Sequence, residues 1–184
     1  MSDDTPKYEI FTTPVGELVY PWLSRADTRY EPAGMFQTKL LLPFEATATQ
    51  ELIAQLEVAL RGFIETLDLK IQNTYEPTSV YEQETTDEGI ATDNVLFKFK
   101  LKHNVTPAGK EAFVQTPVLV MADDGSQVGA PIYGGTMARL KGQIVPYTNG
   151  KDKAVGLTLR FRSVQVHELV TGSSEAGAFW SDFA

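Results

Sequence analysis

Three lysines at alternate positions, Lys98, Lys100 and Lys102, and two cation pairs of the same spacing, Arg139 with Lys141 and Arg160 with Arg162, carry this chain's clearest chemistry. Side chains alternate across a β-strand, so each set stands on one strand face with neighbours about 6.6–6.8 Å apart. That interval is close to the phosphate spacing of an extended single strand, and a row of cations that meets phosphates releases their counterions. Tyr133 and Tyr147 flank the basic strand, and Tyr30 lies among Arg25 and Arg29. A ring beside cations is what base stacking needs, because every base has a π-face. Each tyrosine equally fits a core or rim position, and exposed lysines also serve solubility alone.

No catalytic constellation accompanies these residues. Val166-His167-Glu168 contains an H-x-E, but the other half of a zinc deaminase site requires cysteine, and the chain has none. Disulfides, thiolate catalysis and zinc ribbons fall with it. Two histidines, His103 and His167, leave little for a metal site. Asp123-Asp124 precedes Gly125 and reads as a turn. Gly129, Gly134 and Gly135 permit close backbone approach, yet neither GxGxxG nor GxxxxGK[ST] occurs. The expectation is a protein that is not an enzyme and uses no cofactor or metal.

The elements that must position the cations are readable from apolar periodicity. In the first long strand Ala138, Leu140, Gly142 and Ile144 share one face, and Met137, Arg139, Lys141 and Gln143 the other. In the second, Val155, Leu157, Leu159 and Phe161 point inward and Thr158, Arg160 and Arg162 outward. Near Arg162 and Ser163 the pattern slips, because Val164 and Val166 fall on the other parity; a β-bulge absorbs such a slip. Asn149-Gly150 accepts positive φ and predicts a tight reversal between the two. In NVLFKFKLK, Val95, Phe97, Phe99 and Leu101 alternate with Leu96 and the three lysines.

Upstream, residues 7–22 read as a strand interrupted by Pro14 and Gly16, and LSRADTRYEPAG as a loop. GMFQTKLLLP is a strand with Phe36, Leu40 and Leu42 inward and Gln37 and Lys39 outward. Leu52, Ile53, Leu56, Leu60, Phe63, Ile64 and Leu67 recur at three and four, which predicts an amphipathic helix capped by Thr47 or Thr49. Residues 73–93 carry six acids and no cation and read as a solvated loop. AFVQTPVLVMADDGS is a further strand closed by Asp124-Gly125.

With 184 residues, one domain is expected over 1–170, followed by a flexible tail over 171–184. No apolar run approaches the roughly 18 residues that cross a bilayer, and the N-terminus does not read as a signal peptide, so a cytoplasmic protein with no membrane partner is expected. The net charge of −8 argues against a polyanionic partner until its distribution is considered. Residues 1–93 carry −11, residues 94–167 carry +6, and residues 168–184 carry −3. Local potential over a groove decides whether a polyanion binds, and the basic block is also the strand-rich block.

The tail ends in GAFWSDFA, with three aromatics in five residues. Apolar groups on a tether dock on a partner or pack on their own domain. Taken in order, PWLSRADTRYEPAGMFQTKLLLP, the helix after it, the IYGG turn, ARLKGQIVPY, VGLTLRFRSVQV and the aromatic tail resemble the single-stranded DNA-binding proteins of tailed bacteriophages. The resemblance implies a mainly β, five- to six-stranded oligonucleotide-binding (OB) Greek-key barrel with one amphipathic helix and a flexible C-terminal tail. It implies a protein of DNA replication, recombination and repair in the infected host, which coats single-stranded DNA without reading sequence. Lys98, Lys100, Lys102, Arg139, Lys141, Arg160 and Arg162 would neutralise phosphates, and Tyr133, Tyr147 and Tyr30 would stack on bases.

By the same resemblance Glu175, Phe179, Trp180, Asp182 and Phe183 would dock the phage DNA polymerase and primase-helicase, or occupy the protein's own DNA groove. Asp182 is almost the lone acid near the end, and Ala184 follows Phe183 where an aromatic is usual, so partner docking is the better supported role. A homodimer is compatible with this reading. The alternative from another class is a non-enzymatic phage structural or protein-interaction β-barrel, which makes no use of the basic face.

Overall fold

Alternation of buried and exposed side chains builds the long strands, and their pairing closes them on themselves. The computed structural model describes residues 8–29 and 31–170. In chain order the elements are β1 (Glu9–Thr12), β2 (Gly16–Asp27), β3 (Met35–Pro43), α1 (Thr47–Glu65), α2 (Leu69–Thr74), β4 (Glu76–Pro77), β5 (Glu82–Thr85), β6 (Ala91–Lys102), β7 (Asn104–Val105), β8 (Phe113–Val114), β9 (Val118–Met121), β10 (Met137–Asn149) and β11 (Ala154–Glu168).

Strand β2 pairs antiparallel with β3, and β3 with β6. β6 meets β11 in parallel, β11 pairs antiparallel with β10, and β10 returns to β2. These pairings form a closed five-stranded ring with the connectivity of an OB barrel. Short strands extend it: β1 pairs β10, β5 pairs β6, and β9 and β4 pair β11.

Phe11, Leu18, Leu40, Phe97, Phe99, Leu140 and Phe161 fill the interior. Between β3 and β6, α1 lays Leu52, Ile53, Leu56 and Leu60 on the barrel, each buried apolar side chain contributing about 1.5–3 kcal/mol. The expected slip near Arg162 is present. Lys141 pairs with Ser163 and Gly142 with Phe161, so Arg162 is the extra residue of a β-bulge opposite that step.

Four expectations are corrected. The segment read as a loop from Leu23 begins as strand, since β2 continues to Asp27 with Leu23 and Asp27 both buried. Helix α1 starts from Ala46 with no side-chain cap, because the Thr49 hydroxyl is buried without a partner among the described residues and Thr47 is already helical. Residues 73–93 are not a continuous loop. They contain the end of α2, β4, β5 and the start of β6, because backbone pairing with β11 and β6 satisfies groups that composition alone assigns to water.

The β10–β11 hairpin turns over residues 150–153, and positive φ falls on Lys153 at 50° rather than on Gly150. The Asn149 side-chain oxygen accepts the amides of Lys151 and Asp152, so Asn149 caps the turn from its first corner. The expected tail, with Glu175, Phe179, Trp180, Asp182 and Phe183, lies outside the described residues, as does Tyr30.

Candidate nucleic-acid interface

Because Phe97, Phe99 and Leu101 face the core, Lys98, Lys100 and Lys102 must stand on the outside of β6. The neighbouring strands set more polar side chains beside them. Across the β3 pairing, Lys39 lies opposite Lys98, Gln37 opposite Lys100, and Met35 opposite Lys102. Across the β11 pairing, Arg160 lies opposite Lys100, and Gln143 of β10 lies opposite Arg160. Directly paired residues on one face stand about 4.5–5.5 Å apart, so Gln37, Lys100, Arg160 and Gln143 form a row across four strands.

Adjoining clefts follow this wall and share Lys98 or Lys100. One, lined by Tyr147, Lys98, Lys100, Thr158 and Glu82, lies toward the β10–β11 hairpin. A second, lined by Lys100, Lys102, Arg160, Arg162, Met35 and Phe113, lies toward β7 and β8. A third is lined by Tyr20, Trp22, Arg29, Gln37, Lys39 and Lys98, toward β2.

Crowding of like charge is visible in the acid–base balance. The Lys100 ammonium is pushed below its usual range by burial and then by Lys98. The Arg162 guanidinium is lowered by burial and then by Arg160. Among the described residues the ion pairs are Arg29 with Asp27 and Lys39 with Glu82 at 2.9 Å, so the cations of β6 and β11 face no carboxylate within salt-bridge distance. Arg162 instead donates to the side-chain oxygens of Gln115 and Gln143, and Arg160 lies 5.7 Å over the Tyr8 ring.

Asp27 closes β2. It is 3% exposed and accepts Nε and Nη2 of Arg29, the Arg29 amide and the Gln37 amide group, all at 3.0 Å. Those Arg29 bonds hold its carboxyl at about 2. The Arg29 guanidinium also covers the Trp22 ring at 4.6 Å, with Arg25 at 5.4 Å.

Of the residues expected to bind, the fold brings together Lys98, Lys100, Lys102, Arg160, Arg162 and Tyr147 along this wall. The Tyr147 ring lies against the Gly156 backbone, where a Cβ would come within 2.7 Å of its hydroxyl. Arg139, Lys141 and Tyr133 lie away from its clefts, Lys141 on the outer face of β10 two residues before Gln143. Arg139 bonds to Gln165, Lys141 stands between Ser163 of β11 and Thr12 of β1, and Tyr133 occupies the loop before β10 at 45% exposure. None of the three lines these clefts.

Sequence reasoning passed over Lys39, Tyr20 and Trp22. The signal for the aromatics was available: Leu18 and Leu23 both face the core but stand five apart, an odd interval that requires an extra residue between them. The register supplies it, since Val19 pairs with Lys39 and Trp22 with Gln37. The same slip turns Trp22 onto the outer face.

No protein-family model and no curated protein matches the sequence. Comparison of folds does find similar structures. The single-stranded DNA-binding protein gp2.5 of bacteriophage T7 superposes with a TM-score of 0.70 at 20% identity, over 91% of this chain and 96% of that one. The single-stranded DNA-binding protein of bacteriophage Enc34, in complex with ssDNA, gives 0.56 at 12% identity, over 86% of each chain. Its C-terminal truncation gives 0.56 at 12% identity, over 86% of this chain and 85% of that one. The OB barrel described above is thus the fold of these phage single-stranded DNA-binding proteins.

Proposed function

We propose that this protein binds single-stranded DNA without regard to sequence, and that it does so in phage DNA replication. The observation that carries the reading is the convergence of Lys39, Lys98, Lys100, Lys102, Arg160 and Arg162, from three strands distant in sequence, on one cleft-lined outer wall with Tyr147 beside it. In OB barrels the face of the second and third ring strands and the adjoining connections bind oligonucleotides; here these are β3, β6, the link from β2 to β3 and the 150–153 turn. The likeness to solved phage proteins of that function supports the same reading.

The wall accounts for phosphates, and rings along it account for bases, so affinity depends on salt but little on sequence. Five to six neutralised phosphates correspond to a slope of log affinity against log salt of about −3.5 to −4. Titration of labelled oligo-dT and of duplex over a salt series measures this. A slope near zero, or equal affinity for duplex, overturns the reading in favour of a protein-interaction barrel.

The tail residues Glu175, Phe179, Trp180, Asp182 and Phe183 complete the proposal as a docking segment for the phage DNA polymerase and primase-helicase. Replacing Phe179, Trp180 and Phe183 together with Ala is expected to abolish co-elution with that polymerase while DNA affinity is retained. Undiminished co-elution removes the docking role.

A further inference from the structure

Three features together single out Tyr20. It sits inside β2 with φ at +50°, in the left-handed region where a side chain crowds its own backbone. It belongs to the bulge that places Tyr20 and Pro21 opposite the single residue Thr38. Its ring is 80% exposed, more than any other large hydrophobic among the described residues. The bulge keeps Leu18 and Leu23 both on the core, a role that glycine would fill without strain, and backbone strain of this kind collects at binding sites.

The ring is directed to a definite place. It lines a cleft of about 240 Å³ with Trp22, Arg29, Gln37, Lys39 and Lys98. Lys98 also lines the cleft that contains Lys100 and Tyr147, so the Tyr20 cleft continues the cationic wall. Trp22 already carries the Arg29 guanidinium on its ring, which leaves Tyr20 as the exposed aromatic surface here. Lys39 lines the same cleft and is ion-paired with Glu82.

Resting on the DNA-binding reading, we infer that Tyr20 is a stacking platform for a single unpaired nucleobase, with the adjacent phosphate held by Lys39 and Lys98. The bulge presents the ring, and the strained backbone is retained because the ring must project there. Pyrimidine and purine bases both fit such a platform, since stacking requires only a π-face.

The test uses the full chain with two probes of equal length, about 15 nucleotides, one of oligo-dT and one carrying abasic sites throughout. Tyr20→Ala is expected to weaken oligo-dT binding by roughly 5- to 100-fold and to leave abasic binding unchanged, while Tyr20→Phe retains wild-type affinity. Tyr20→Gly is expected to lose the same affinity while the melting temperature holds or rises, because glycine adopts positive φ without strain.

Equal loss on both probes, no loss on oligo-dT, or a Tyr20→Gly variant that melts lower than wild type would each overturn the inference. If the wild-type protein binds neither probe, the DNA-binding reading itself fails, and that result is distinct from a wild-type protein that binds oligo-dT indifferently to Tyr20.

Discussion

Replacing Gly142 with Ala is expected to cost about 3 kcal/mol or more of folding stability, a fall in melting temperature of roughly 6–12 °C for a chain of this size. Gly142 is buried on β10 where the register steps against β11. A Cβ there would overlap the Arg160 carbonyl oxygen and lie 2.6 Å from the Phe161 Cα. Those are backbone atoms of the neighbouring strand, held by the ladder, and they have no rotamer to move into. Gly156→Ala provides the comparison: the atoms its Cβ meets belong to the Tyr147 ring, at 2.7–3.1 Å, which can swing aside. The smaller loss is therefore expected at Gly156. Thermal denaturation followed by circular dichroism measures both, and a Gly142→Ala protein that melts with the wild type would refute the tight crossing of β10 and β11.

The second large effect concerns binding. Replacing Arg160 and Arg162 together with Ala is expected to lower affinity for single-stranded DNA about 100-fold, since a hydrogen bond to a charged group contributes about 1.5–3 kcal/mol. Two fewer neutralised phosphates reduce the salt slope by about 1.4. The barrel should hardly notice, because neither arginine is ion-paired among the described residues: the Arg162 partners Gln115 and Gln143 can turn to water, and Arg160 only overlies the Tyr8 ring. Melting temperature near that of wild type, with the weakened and flattened salt titration, is the expected pair of results. An unchanged slope would place the phosphate track elsewhere on the barrel.

The sequence was most informative where one face is buried and its neighbours are not. Ala138, Leu140 and Ile144, or Phe97, Phe99 and Leu101, declare their strands because burial leaves a period of two, and the parity change before Val164 located a bulge. The β2 bulge left an equally plain trace in Leu18 and Leu23, but Ser24 and Arg25 beyond it imitate a loop. Asp27 was harder still, because a buried carboxylate is specified by Arg29 and Gln37 folding over it rather than by its own residue type.

The cation set was legible strand by strand, whereas the choice among cations was not. Lys141 and Arg160 look alike in sequence; which one joins Lys100 depends on the parallel pairing of β6 with β11, a contact between residues about sixty positions apart.

That parallel pairing also governs how the chain is made. The ring closes only when β11 comes to rest between β6 and β10, so a nascent polypeptide that has just released Lys102 must wait for some 66 more residues. At about 5–20 residues per second the ribosome takes roughly 3–13 s to deliver them, while assembly of such non-local β-structure takes about milliseconds to seconds. During that interval the half of β6 beyond its pairing with β5 offers an unpaired border to other newborn chains. Three lysines along it make strand addition by a like-charged neighbour unfavourable, so the cations of the outer wall also guard the unfinished barrel against aggregation.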